Sequence, residues 1–205
     1  MRKIILSAVL LTGLAAQAFA EVNVSADVVS RYLFRGAQQD GGMAVQPEIS
    51  YSTGSVTIGT WVSQPMMDGM TETNLYVSLD AGPLGITITD YTDSHNDLFS
   101  VGDHKIEVIA TYAAGDLSAG VAINALNGDE AIWAELGYDM GRMGDADVSL
   151  SLGLGQGGEG DNVYTEGGDP MIALIGFNVS QGDYFASYQI NPDAKANMAM
   201  IGKRF

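Results

Sequence analysis

Apolar and polar residues alternate with a period of two along most of this chain, and stretches of helical period are nearly absent. The run Val148-Ser149-Leu150-Ser151-Leu152-Gly153-Leu154-Gly155 puts aliphatic side chains on one face and small or polar ones on the other. Leu75, Val77 and Leu79 alternate with Tyr76, Ser78 and Asp80, and Leu117, Ala119, Val121 and Ile123 with Ser118, Gly120, Ala122 and Asn124. Ile106, Val108, Ala110 and Tyr112 alternate with Lys105, Glu107, Ile109 and Thr111. Gly, Asp, Asn and Pro break the pattern at intervals. It predicts an all-β chain of about twelve strands of barrel-wall length, at 22–35, 45–53, 56–64, 72–81, 84–92, 104–113, 117–126, 130–140, 146–156, 170–179, 183–191 and 195–205. An even count returns the C-terminus to the side where the wall begins, as an antiparallel transmembrane β-barrel requires.

The connections carry a second pattern. Those at Thr53-Gly54-Ser55, Gly82-Pro83, Ala114-Gly115-Asp116 and Ser180-Gln181-Gly182 are tight, whereas those at Ser94 to Asp103 and Gly157 to Asp169 are long and polar. Short periplasmic turns and longer external loops are the rule for outer-membrane barrels, which places both ends of the wall in the periplasm. Two connections fit less well: Gly141-Arg142-Met143-Gly144 is long for a turn, and Pro192-Asp193-Ala194 short for a loop. With this phase, Tyr51, Tyr112, Tyr138, Phe177, Tyr184 and Phe205 fall on the apolar face at periplasmic strand ends, and Tyr32 and Phe34 on the same face at the opposite end. Aromatic rings at two levels are the anchoring girdles of a membrane barrel.

The first twenty residues read as a secretory signal: Arg2 and Lys3, an apolar run from Ile4 to Leu14, and a small-x-small cleavage site at Ala18-Phe19-Ala20. The expected division is a cleaved signal peptide over 1–20 and one barrel over 21–205, located in a Gram-negative outer membrane. No later apolar run has the length of a membrane helix, so a membrane location requires a closed barrel. The chain has no cysteine, hence no disulfide framework and no thiolate metal site. Its 9 basic and 25 acidic residues become 7 against 25 once Arg2 and Lys3 are removed, a net charge of −18. Such a balance excludes the basic footprint of a nucleic-acid binder and attracts cations.

The first hairpin carries a motif: Ser25-Ala26-Asp27, Ser30-Arg31-Tyr32-Leu33-Phe34-Arg35-Gly36, Gln38-Gln39 and Ala44-Val45-Gln46-Pro47, followed by Tyr51 and Gly59-Thr60-Trp61-Val62-Ser63. It resembles the TorF-like porin family of Gram-negative outer-membrane barrels over about the first third of the mature chain, and the ending Gly202-Lys203-Arg204-Phe205 agrees with it. The resemblance implies a porin-like role. Pro47 stands where that family more usually has Gly, and a residue without a ladder donor belongs near a rim or at a bulge.

Parity then assigns the inward side chains. Asp27, Arg31, Arg35 and Glu48 in the first hairpin, with Lys105, Glu107 and Glu135 further on, turn toward the lumen. They form either a charge-selective constriction or a salt-bridge network filling the interior. Pairing about a loop near Gln39-Asp40 brings Arg31 close to Glu48. Trp61 and Trp133, with Tyr76, fall on the inward face of the outer half, as stacking platforms for solutes or as filler. His95 and His104 form no nucleophile motif with a nearby serine, and Gly157-Gly158-Glu159-Gly160-Asp161 resembles a calcium-binding glycine repeat but occurs only once. The chain therefore reads as a non-enzymatic porin-like channel for small hydrophilic solutes or ions, without cofactor or metal. Its expected partners are outer-membrane lipids and lipopolysaccharide, the outer-membrane assembly machinery through the C-terminal strand, and the solutes themselves. The alternatives are a closed structural or adhesive barrel and a lipid A-modifying barrel enzyme using His104.

Overall fold

A computed structural model describes residues 20–39, 41–93, 104–126, 131–157, 164–165 and 167–205. The expected signal peptide up to residue 19, His95, Glu159 and Asp161 lie outside these. The described strands are β1 (Glu21–Val29), β2 (Leu33–Phe34), β3 (Ala37–Gln38), β4 (Ala44–Thr53), β5 (Val56–Pro65), β6 (Glu72–Ala81), β7 (Leu84–Asp93), β8 (Lys105–Ala114), β9 (Leu117–Leu126), β10 (Ile132–Met143), β11 (Ala146–Gln156), β12 (Met171–Gln181), β13 (Tyr184–Asn191) and β14 (Ala196–Arg204). All but β2 and β3 form one closed antiparallel barrel of twelve strands, in which each strand pairs with its neighbours in sequence and β14 closes on β1.

Local chemistry explains the meander. At one end of the barrel the strands are joined by the pairs Gly54-Ser55, Gly82-Pro83, Gly115-Asp116, Gly144-Asp145 and Gly182-Asp183, each with positive φ at the glycine alone. Glycine at the first central position is what a type II′ turn needs, and that turn matches the twist of the flanking strands. This is the turn end; the longer connections lie at the opposite, loop end. The stretch 141–144, expected to be a long connection, is strand and turn instead. A bulge between Asp139 and Gly141, where Gly141 has φ 77° and its N–H bonds Asp139 Oδ1 at 2.7 Å, absorbs the extra residue. Pro47 stands opposite Ala26 within the wall, and its ladder to β5 skips from Val45–Gln64 to Glu48–Trp61, as the missing N–H dictates.

The outer surface is apolar on every side, with Val24 72%, Ile58 54%, Leu84 55%, Leu136 56% and Ile201 65% exposed. Six aromatic residues, Tyr51, Tyr112, Tyr138, Phe177, Tyr184 and Phe205, also point outward toward the turn end. The weak alternation of β14 has a simple cause. Met198 and Met200 face inward opposite Gln189 and Ser187, leaving Ala199 and Ile201 outside.

The first strand differs most from expectation. It ends at Val29, not near residue 35, and the chain then leaves the wall. Leu33 pairs with Gln38 and Phe34 with Ala37, around Arg35 (φ 49°) and Gly36 (φ 80°). Two central residues with positive φ make a type I′ turn, so β2 and β3 are a minimal hairpin. It crosses the lumen at the loop end: Tyr32 packs on Trp61 of β5, Phe34 on Tyr91 of β7, and Gly36 lies against the Ala173 backbone of β12. Tyr32 and Phe34 are thus inside the barrel, and their assignment to an outward girdle is corrected. A ring that satisfies outward parity is equally well buried in a packed interior. The apolar core sits here, with Ile109, Ala122, Ala131, Trp133, Tyr164, Ala173 and Leu174 packed against Phe34.

Candidate functional site

The tip of the inner hairpin carries Arg35 across to Glu107 on β8. Arg35 Nη1 donates to Glu107 Oε2 at 2.5 Å and Nη2 to Oε1 at 3.0 Å, a two-pronged pair. The side chains are 7% and 1% exposed. The carboxylate gains two further donors, Tyr91 OH on Oε1 at 2.9 Å and Tyr164 OH on Oε2 at 2.7 Å. Asn124 Nδ2 donates to the Tyr164 oxygen at 3.1 Å, and Arg35 Nη1 also reaches that oxygen. Rings enclose the guanidinium: Phe34 at 4.6 Å, Tyr164 at 4.9 Å and Trp133 at 5.5 Å from Cζ. Burial is the largest single influence and disfavours the cation, but the charge and hydrogen bond of Glu107, added to the neighbouring Tyr164 and Tyr91, together outweigh it and hold Arg35 ionised above its ordinary range. Burial also pushes the Tyr164 phenol up, so it remains a neutral donor.

Asn191 Nδ2 donates to the Gly36 carbonyl at 3.1 Å, and Tyr32 OH to Glu72 Oε1 at 3.4 Å. Within 31–39, the backbone–backbone bonds of the described residues stay inside the hairpin, as β2 with β3 and Gln39 N–H to Tyr32 O at 3.0 Å. Among the described residues, side chains tie the hairpin to the wall. Tyr164, from the connection between β11 and β12, is buried beside it, and Thr165 of the same connection is buried near Gly155.

The other expected inward residues do not gather at this latch. Asp27 takes both prongs of Arg204, at 2.8 and 2.6 Å, across the β1–β14 seam. Glu48 accepts from Tyr76 OH at 2.5 Å, and Glu135 from Trp133 Nε1 at 3.1 Å. Lys105 is exposed at the loop end. The expected approach of Arg31 to Glu48 does not occur: Ser25 stands opposite Glu48, and Arg31 donates to Gln38 at 3.3 Å. Among the described residues, Ser30 N–H is the last backbone donor of this segment to the wall, bonding Ile201 O at 2.8 Å, and the chain turns inward after it, so strand register no longer controls Arg31. Neither tryptophan is an open stacking platform, since Trp133 is 3% exposed against Tyr164 and Trp61 is covered by Tyr32. His104 Nδ1 lies 2.7 Å from Asp90 Oδ2, on the far side of the β7–β8 pair from Glu107.

Below the latch, the inner wall carries many small polar residues and glycines, including Ser50, Ser52, Thr57, Thr87, Ser118 and Ser149, alongside Asp27, Glu48, Met198 and Met200. Aromatic rings in this wall fill the space above glycines of the next strand: Tyr76 at Gly59, Phe185 at Gly202, and, at the latch, Trp133 at Gly153. Sequence reasoning placed Glu107 and Arg35 inside but not together, and missed Tyr91, Tyr164 and Asn124. One signal was present: Ile109 interrupts the polar face of β8, which a fully wet lumen would not require.

No protein-family model matches the chain, and no match to a curated protein was found.

Proposed function

We propose that the protein is an outer-membrane barrel passing small hydrophilic solutes or ions, with the inner hairpin closing the path at its loop end. The apolar outer surface supports the membrane reading, because a soluble monomer rarely exposes contiguous apolar patches beyond a few hundred Å². The turn-end aromatics then sit at the periplasmic interface, with Lys203 Nζ over the Phe205 ring at 4.3 Å, and the loop end faces outward from the cell. The motif of the first hairpin, with its resemblance to TorF-like porins, points the same way. Lipopolysaccharide and lipids contact the outer face, and the assembly machinery engages β14.

The observation that carries passage is the character of the obstruction. A hairpin joined to the wall by side chains can withdraw as a unit without breaking the barrel ladder, and it opens onto a small-residue, hydroxyl-rich lumen. The same latch favours one other reading, a barrel that stays closed and serves a structural or adhesive role. Liposome swelling separates them. Refolded protein in lipid vesicles should admit small sugars or amino acids, faster in Glu107→Ala than in wild type. Vesicles impermeable with both proteins, each migrating as a folded heat-modifiable band, would select the closed barrel.

A further inference from the structure

We propose that the pocket around Glu107 is a recognition site for guanidinium-type cations and that Arg35 is its built-in occupant, so that the hairpin blocks the barrel as a surrogate solute. The inference rests on the passage reading and names the solute class. Glu107 is completely buried, yet its carboxylate is furnished with two phenol donors of its own, Tyr91 and Tyr164, supplied by β7 and by the β11–β12 connection. Trp133 of β10 and Tyr164 supply ring faces beside the cation. Asn124 of β9 steadies the Tyr164 oxygen. Each of these groups belongs to the wall or to that connection, whereas the cation arrives on a hairpin that shares no backbone ladder with them among the described residues. The host is therefore built independently of its guest. Its chemistry is that of planar cation recognition: a two-pronged carboxylate matched to a guanidinium fork, with aromatic faces alongside. The chain's charge of −18 after removal of Arg2 and Lys3 concentrates such cations at the mouth.

The test uses full-length mature protein refolded in detergent, with methylguanidinium at low millimolar concentration as the probe. In Arg35→Ala the site is vacated, and the probe should raise the unfolding temperature saturably by a few degrees. Tetramethylammonium, which has no N–H fork, should do less, and Arg35→Ala/Glu107→Gln should not respond. Equal shifts in the two variants, or no shift in Arg35→Ala, overturn the proposal. If Arg35→Ala does not refold, wild type gives the second measurement. The probe should compete with Arg35, release the hairpin and increase chymotrypsin cleavage at Tyr32, Leu33 or Phe34 several-fold, and cleavage unchanged by the probe overturns the proposal. Neither readout depends on conduction. A thermal shift without solute passage keeps the site and rejects the channel, whereas passage without a shift keeps the channel and rejects the site.

Discussion

Removing Glu107 tests the latch most severely. The pair is almost fully buried, with side chains 7% and 1% exposed, and losing one member of such a pair costs about 3–5 kcal/mol because the other charge is stranded. The two truncations should not be equal. Arg35→Ala leaves the carboxylate with the Tyr91 and Tyr164 hydroxyls, at 2.9 and 2.7 Å, so its cost should fall near about 3 kcal/mol. Glu107→Ala leaves a guanidinium with ring faces and one phenol oxygen, and its cost should approach about 5 kcal/mol unless the hairpin withdraws first. Withdrawal would cap the loss at the free energy of docking and would show as chymotrypsin nicking at Tyr32, Leu33 or Phe34. The double variant should cost far less than the sum, with a coupling of at least about 2 kcal/mol. The assay is urea unfolding of refolded protein in micelles, scored by the heat-modifiable band and by nicking; guanidinium chloride is unsuitable, since its cation competes for Glu107. Additivity within about 0.5 kcal/mol, with no nicking in any variant, would refute the latch.

Two further pairs of substitutions test the wall and the seat of the hairpin. Leu152→Arg places a charge on the outward face in mid-strand and should cost about 2–4 kcal/mol in lipid-refolded protein, while Ser151→Arg, inward, should be much milder; equal losses in urea titrations would contradict the assigned facing. Gly36→Ala should unseat the hairpin, because φ is 80° there and the new Cβ would meet the Ala173 carbonyl oxygen. Gly82→Ala, with φ 66° but open space around it, should cost only the turn strain of about 1 kcal/mol and leave chymotrypsin nicking unchanged.

The wall was legible because period-two alternation and glycine turns act locally. Leu150, Leu152 and Leu154 face outward as their spacing requires, and Gly54, Gly82 and Gly115 turn where they interrupt it. The same reasoning put Asp27, Glu48, Glu107 and Glu135 on the inner face. It failed at residues 30–39, where alternation continues past the last wall residue. Tyr32 and Phe34 keep the parity of outward residues, and nothing in a periodic pattern distinguishes a ring in lipid from a ring in a packed interior. The turn itself was poorly signalled: Arg35 occupies a positive-φ position that favours Asn, Asp or Gly. The partners of the latch come from β7, β8, β9, β10 and a connection, contacts that only barrel closure brings together. Arg31 and Glu48 show the reverse case, a pair drawn by register that the chain never forms.

Single-channel recording on refolded protein decides whether the hairpin gates passage. Wild type in a planar bilayer should show rare openings, and Glu107→Ala should open far more often at the same unitary current, because the wall is unchanged and only the hairpin is freed. The current should favour cations at low salt, given the acidic charge, and less so as salt shortens the Debye length to about 8 Å near 0.15 M. Silence from both proteins, correctly folded and inserted, would rule out passage and leave a closed barrel.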